Sequence, residues 1–590
     1  MQFLKNVLST IVGIFCFFLF FFIMIIAIAA IAGSGNDDAV VVEDNSVIEL
    51  NIEEVVNDYA GKFTNEKMAF LNAEPHDGLV DVLKAIDAAK TDNKIKGITL
   101  TNVQTNLGIA QAKALRDKLA DFKKSGKFVL AYGDNYSQGQ YYLSSVADTL
   151  YLNPVGDFEF KGLSSEVMFF KDFQEKTGIT MEVIRHGKYK SAVEPFIANE
   201  MSPENREQMS TLLNAVWASV SNDISKSRKI PLDSLNGIAE RLSARTPEMA
   251  KATGLVDKIA YFDEFENSIK KVLKVEKDEE YNSVDILDYV EANKVNELLN
   301  DKENHIAIIY AQGEIANSEG TLTSIGTESM RTAFQEAVED DAVKAIVLRV
   351  DSPGGDALVS DLIWREVELA KKKKPVVVSM GNYAASGGYY ISCGADRIFA
   401  EEGTITGSIG VFGVLPNLTK VTNNLGIHTE QVSTHANAAD YSLFRPLEAS
   451  TRDVIQQSVE RVYGTFISRV AAGRKLTTEQ VDAIGQGRVW SGTDAKRIGL
   501  VDEIGGLDAA IKYAAAKAKV KEYSTVDFPE YEATFDRFLA NATGLPFAQT
   551  RESLIKEEIG SENYKILERI RRVTQEKGTQ AAMPFDITIR

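Results

Sequence analysis

The sequence predicts an α/β protein of two tandem, duplicated domains behind one transmembrane helix. Three observations carry that expectation. Short β-rich apolar runs alternate with helical periodicity, the same segments recur in order far along the chain, and a long uncharged run stands near its start.

The uncharged run, residues 11–32, is dominated by Phe, Ile and Ala. As a helix it would be about 33 Å long, enough for a hydrocarbon core of roughly 30 Å. Lys5 precedes it and Asp37 and Asp38 follow it. Positive-inside logic therefore keeps residues 1–10 in the cytoplasm and exports the body. Ala29, Ala30, Ala32 and Gly33 would also suit a signal-peptide cleavage site. The apolar stretch exceeds the roughly 7–15 residues of a signal peptide, which favours a retained anchor.

In the body, Leu79, Val82, Leu83 and Ile86 lie at helical spacing, and the run Ile95–Leu100 reads as a strand. Phe334 and Val338 followed by Ala345–Val350 repeat that pattern. Pro375–Ser379 reads as a further buried strand leading through Gly381 into a helix around Ser386–Cys393. Segment Lys94–Leu100 aligns with Ala342–Leu348, and Tyr141–Asp148 with Tyr389–Asp396, both at an offset of 248 (94 to 342). Gly254–Asp257 then returns as Gly499–Asp502, at 245 (254 to 499). Three matches in order indicate duplicated domains, since a period this long is not that of a solenoid. The expected limits are 45–298 and 303–525, with 526–590 as a charged helical tail. Within that tail Phe585–Ile589 alternates like a strand, suited to pairing with another subunit.

Composition excludes several functions. The apolar (44%) and charged (25%) fractions are those of a globular protein. A net charge of −19 opposes nucleic-acid binding, which needs a basic surface. Two cysteines, Cys16 and Cys393, make no disulfide framework, and the five scattered histidines show no metal-binding spacing. No metal or cofactor is expected.

Three loops of the second half look chemical. Asp351-Ser-Pro-Gly-Gly355 follows a strand; it could be a plain turn, or a bare backbone whose N–H groups hold an oxyanion. Asn382-Tyr-Ala-Ala-Ser-Gly-Gly-Tyr389 puts Ser386 among small residues at a strand-to-helix turn, either as a helix cap or as an exposed nucleophile. There the N–H of Gly387 and the helix N-terminus would stabilise developing negative charge. Gly403-Thr-Ile-Thr-Gly-Ser-Ile-Gly410 could be a simple glycine-rich connection. A nucleophilic serine needs a base. His435 lacks an Asp partner by spacing, while Gly187-Lys-Tyr-Lys-Ser-Ala-Val-Glu-Pro-Phe196 offers two lysines, Lys188 and Lys190. A lysine serves only when burial or a nearby cation leaves it neutral. Spacing alone does not choose between them.

Taken in order, Tyr189–Phe196, Asp351–Gly355, Ala385–Tyr389 and Gly407–Gly410 resemble the motifs of the long form of the signal peptide peptidase A (protease IV) family. The anchor and the duplicated body extend the resemblance over nearly the whole chain. It implies Ser386 as nucleophile, Lys190 as general base, Ser408 as a serine orienting that lysine, and Gly355 and Gly387 as the oxyanion hole. It further implies crotonase/Clp-like domains of repeated ββα units and a homotetramer facing the membrane. The implied task is degrading cleaved signal peptides and other hydrophobic peptides. The implied place is the bacterial inner membrane, crossed once, with the catalytic body on the periplasmic side.

The repeat adds an expectation that owes nothing to the family. At an offset of 248, Ser386 aligns with Gln138, Gly354 and Gly355 with Asn106 and Leu107, and Lys190 with Ala438. Each half keeps what the other lacks, so the site should assemble between domains. Three other readings remain: an acyl-thioester enzyme on the same fold, a membrane scaffold with a vestigial dyad, and a Ser-His-Asp protease using His186 or His435.

Overall fold

Two sheets, each with six corresponding parallel strands in matching order, form the frame, as the internal repeat anticipates. The structure, a computed structural model, describes residues 5, 12–21, 24, 40–64, 78–299, 301–435, 437–438, 441–532 and 580–582. In the first sheet the strands run 283–285, 46–49, 95–101, 128–133, 149–152 and 258–259, all parallel. In the second, the corresponding order is 524–528, 305–312, 343–352, 376–385, 397–400 and 503–504, again parallel. The duplication is thus written in topology as well as in sequence.

The central strands are buried along almost their whole length, because helices cover both faces. Helix Thr327–Glu339 turns Met330, Ala333, Phe334 and Ala337 inward, the i, i+3, i+4, i+7 stripe of a core-facing helix. Leu79–Ala89 does the same in the first half with Leu79, Val82, Ile86 and Ala89. Two ββα units follow one another in the second half. Strand 305–312 leads to short strands 314–315 and 324–325 and helix 327–339. Strand 343–352 then leads to short strand 354–356 and helix 357–370.

Those short strands belong to a separate six-stranded sheet, in the order 324–325, 314–315, 354–356, 580–582, 411–417, 180–186. Its last member comes from the first half. Thr180–His186 pairs antiparallel with Val411–Asn417 over seven residues, and Ile184 joins the second-half core. The expected limit at 298 therefore does not separate two self-contained units. Nor does the second unit end at 525, because Ser524–Phe528 forms the edge of its main sheet and Glu530–Glu532 pairs with Lys62–Thr64. In the C-terminal tail the described strand is Gln580–Ala582, while the helical tail and the strand expected at 585–589 lie outside the described residues.

Of the expected membrane span, Val12–Phe21 and Met24 are described, and they are helical. The remainder of 11–32 lies outside the described residues, among which no helix is long and apolar enough to cross a membrane.

The halves dock through buried polar contacts. Arg349 on strand 343–352 donates through Nε to Asp58 at 2.7 Å, both side chains almost fully buried. Gln111 donates to the other Asp58 oxygen at 3.0 Å. Asn382, four residues before Ser386, accepts from the N–H groups of Ala110 and Gln111, capping a first-half helix that has only Gly108 at its own cap. A Cβ at Gly108 would stand 2.4 Å from the Asn382 side chain, so glycine there permits the approach. Tyr59 and Tyr310 stack at 4.4 Å beside this network.

Removing Asp58 leaves a buried guanidinium without its carboxylate. We expect Asp58→Ala to destabilise the protein by about 3–5 kcal/mol, measured by urea denaturation. A loss under 1 kcal/mol would refute the role given to this pair.

Candidate active site

Strand Val376–Ala385 ends at Ser386, where the chain turns into helix Gly387–Ser392. Ser386 is held at φ 55°, ψ −114°, a conformation that L-residues with a side chain rarely adopt. Its N–H donates to Gly407 O at 2.8 Å and its carbonyl accepts from Tyr390 N at 2.9 Å. Its hydroxyl makes no helix-capping bond, so the simple-cap reading does not describe it.

Lys190 closes on this hydroxyl from the other half. It follows strand 180–186 and precedes a short helical turn at Ser191–Val193. Its side chain is fully buried (0% exposed) and Nζ stands 3.0 Å from Ser386 Oγ. Ser408 supplies two further contacts to the amine, Oγ at 2.9 Å and the carbonyl oxygen at 3.2 Å. Burial alone pushes the Lys190 amine well below the ordinary lysine range. The amine thus meets three oxygens, Ser386 Oγ and both oxygens of Ser408.

Lys188 is exposed, with its amine 5.2 Å from the centre of the Tyr189 ring. The histidines are engaged elsewhere. His186 pairs with Glu460 at 2.7 Å and stacks on Tyr463, while His435 is exposed and bonds Thr434. Neither imidazole hydrogen-bonds Ser386 among the described residues.

The glycine loops border the serine. A Cβ on Gly387 would lie 3.2 Å from Gly354 Cα, so the two loops touch. Gly355, at φ 147°, passes so near Ile315 that a Cβ there would come within 2.0 Å of its carbonyl oxygen. Asp351 braces both loops by accepting from Tyr383 N at 2.8 Å and from Asn382 at 3.3 Å. Burial, and next the charge of Asp58, push its carboxyl up to about 7. Between strands 354–356 and 411–417 lies a slot one strand wide, occupied by the backbone of Gln580–Ala582 running antiparallel to 354–356. Among the described residues no cluster of His, Cys, Asp and Glu could hold a metal ion.

Some residues of this neighbourhood escape sequence reasoning. Gly487 packs directly on Lys190 and Gln208 brackets it. The run Gly485-Gln-Gly-Arg488 carried a visible glycine signal, whereas a lone Gln in the polar helix Pro203–Arg228 carried none.

A strained serine with a buried amine as neighbour, on a duplicated α/β frame, points to the class of serine hydrolases. The family model "Peptidase family S49" matches residues 121–276 and again 368–521. "Protease 4" of Haemophilus influenzae is 38% identical over 443 residues, covering 74% of this chain and 72% of that protein. "Protease 4" of Salmonella typhi is 37% identical over 487 residues, covering 81% and 78%. The chloroplastic "Serine protease SPPA" of Arabidopsis thaliana is 35% identical over 442 residues, covering 73% and 64%. The chain belongs to peptidase family S49, in the two-domain form of the protease 4 proteins, and is a serine-type peptidase.

The amine carries a stability signature. With its pKa lowered in the fold, the amine holds its proton less readily in the folded than in the unfolded chain, which costs stability wherever the unfolded chain carries that proton. This cost shrinks as pH rises and vanishes above the unfolded value of about 10.4. The stability of Lys190→Met relative to the parent should therefore be greatest near neutral pH and decline by pH 10, as read from thermal midpoints. A difference that stays constant with pH would mean that Lys190 is charged in the fold.

Proposed function

We propose that this chain is a membrane-anchored serine endopeptidase working through a Ser386/Lys190 dyad. It degrades cleaved signal peptides and other hydrophobic peptides in the cell envelope. The observation that carries the reading is the fully buried Lys190 amine 3.0 Å from Ser386 Oγ.

In this reading the lone pair of Lys190 takes the Ser386 proton as Oγ attacks the scissile carbonyl. Ser408 accepts the two N–H groups of the neutral amine through its two oxygens, and the third N–H of the transient ammonium points back to Ser386 Oγ. The N–H groups of Gly355 and Gly387 take the oxyanion, aided by the N-terminus of helix 387–392. Lys190 then gives the proton to the leaving amine, and a water repeats the route to release the acyl group. The substrate lies extended between strands 354–356 and 411–417. That the backbone of 580–582 fits there supports a peptide bound by strand addition.

The uncharged run 11–32 would hold the enzyme in the bacterial inner membrane with its body on the periplasmic side, beside substrates that leave the bilayer. A homotetramer belongs to the same proposal. It is supported by Leu358, Leu362 and Leu369, exposed along one side of helix Ala357–Ala370.

The full-length chain in detergent micelles, assayed on an apolar peptide ester, tests the dyad. Ser386→Ala and Lys190→Met should each reduce kcat by about 10³-fold or more, and His435→Gln by less than about twofold. In the parent, kcat/KM should rise with pH through a group titrating well below about 10.4, because a protonated amine accepts no proton. Full activity in Lys190→Met would sink the dyad.

A further inference from the structure

The position of the Lys190 amine depends on the backbone of residues 189–191. Local bonds hold part of it: Ser191 N donates to Tyr189 O at 2.8 Å, Arg185 donates to Lys190 O at 3.1 Å, and Lys190 N reaches Gly187 O at 3.4 Å. Its remaining contacts come from two other places in the molecule.

The first is the loop Gly485–Arg488 of the second half. Gln486 O accepts from Tyr189 N at 2.9 Å, Gly487 N donates to Ile409 O at 2.7 Å, and Arg488 O accepts from Ser408 N at 2.7 Å. The loop thereby ties the lysine segment to the turn carrying Ser408. Gly487, at φ 80°, lies flat on Lys190. A Cβ there would stand 2.6 Å from Lys190 Cβ and 2.7 Å from its Cα and N. With Gly410, whose added Cβ would meet Lys190 Cδ at 3.2 Å, it walls the aliphatic stem.

The second is helix Pro203–Arg228 of the first half. The buried amide of Gln208 donates to Tyr189 O at 3.1 Å and Ser191 Oγ at 2.8 Å, one residue on either side of the lysine. Its oxygen accepts from Val489 N at 3.3 Å. Arg488 joins the two places. Its guanidinium lies between the rings of Tyr189 and Trp490, at 4.8 and 4.4 Å, and donates to Glu207 at 3.0 Å and to the Tyr189 hydroxyl at 3.2 Å.

We propose that Gln208, Gly487 and Arg488 form a latch across the two halves that positions Lys190 toward Ser386 and keeps water from its amine. They are positioning residues that act through the lysine, and the inference rests on the dyad reading above. The physical reason is reach. An amine hydrogen-bonded to serine oxygens at 2.9–3.0 Å loses its function with a displacement of about 1 Å, which can cost roughly 100-fold in rate. Water admitted to the stem would also restore the charged form.

The test compares full-length parent, Gln208→Ala and Arg488→Ala as pH profiles of kcat/KM, with kcat and KM separated and thermal midpoints recorded. Arg488 lies at the rim and its variant keeps the fold assessable should Gln208→Ala unfold. We expect kcat to fall about 10- to 100-fold with KM within about twofold. The acid limb should move up by about one pH unit, so that the deficit narrows in alkali. A folded Arg488→Ala protein with parental kcat overturns the latch. So does a loss equal at every pH with an unmoved acid limb, since that is the mark of general damage. Lys190→Met in the same assay separates the two claims. Activity there removes the dyad itself, whereas an inactive Lys190→Met beside an unmoved limb in both latch variants removes only the latch.

Discussion

Exclusion of water, with no carboxylate near, favours the uncharged form of an amine. That condition governs the arrangement around Lys190. The side chain is fully buried, and desolvation is the cause of its lowered pKa. Burying a polar group without partners would cost several kcal/mol, so its lone pair and hydrogens must be matched to oxygens inside the pocket. Ser386 and Ser408 supply them. Both serines sit at positive φ, 55° and 51°, outside the region that ordinary residues favour. The backbone is bent at two places to aim two hydroxyls at one nitrogen, and surrounding pairings hold those bends. Ser386 N bonds Gly407 O, and Ser408 N bonds Arg488 O.

Two similar sheets need not make two similar sites, and here they make one. The second half has the short strands that border the slot filled by 580–582, while the first half runs from strand 95–101 through a loop into helix 109–123. What the first half contributes is a hairpin-like arm, 180–197, carried into the sheet of its sibling. Such an arm is useful only if the docking of the halves is rigid. The buried Arg349–Asp58 pair and the Asn382 cap on helix 109–123 meet that need at the base of the strand that ends in Ser386. Asn382 joins docking to chemistry, since the same side chain caps the neighbouring domain and braces the loop headed by Asp351.

Local features were legible in the sequence, and long-range ones were not. The strands at 95–101 and 343–352 and the helices at 79–89 and 327–339 appear where apolar spacing put them, because burial against a sheet imposes that spacing. The repeat was legible because both copies still fill equivalent sheets. The glycine-flanked serine was legible because a sharp strand-to-helix turn and a touching loop tolerate few other residues. Lys188 and Lys190 were not distinguishable by composition, because the burial of Lys190 is made by Ser386, Ser408, Gly410 and Gly487, far away in the chain. The pairing of 180–186 with strand 411–417 has no local signal, and for this reason the boundary drawn at 298 cuts between segments that share a core. Gln208 was invisible for a similar reason. A glutamine in a polar helix gains meaning only from the carbonyl, hydroxyl and N–H that converge on it.

The slot beside Ser386 bears on the kind of selectivity such a site can have. Strands 354–356 and 411–417 present backbone groups, and the segment at 580–582 satisfies them by main-chain pairing. Backbone pairing reads extension, not side-chain identity. A peptide in a stable helix or a folded domain cannot offer its main chain this way, whereas a short segment released from its parent can. Gly355 preserves one wall of the slot, since a side chain there would strike the Ile315 carbonyl. Under the proposed function, broad sequence tolerance and strict demand for an unfolded substrate then share one origin. In that reading the enzyme selects by conformation first, and the proposed anchor at 11–32 limits which unfolded chains it meets.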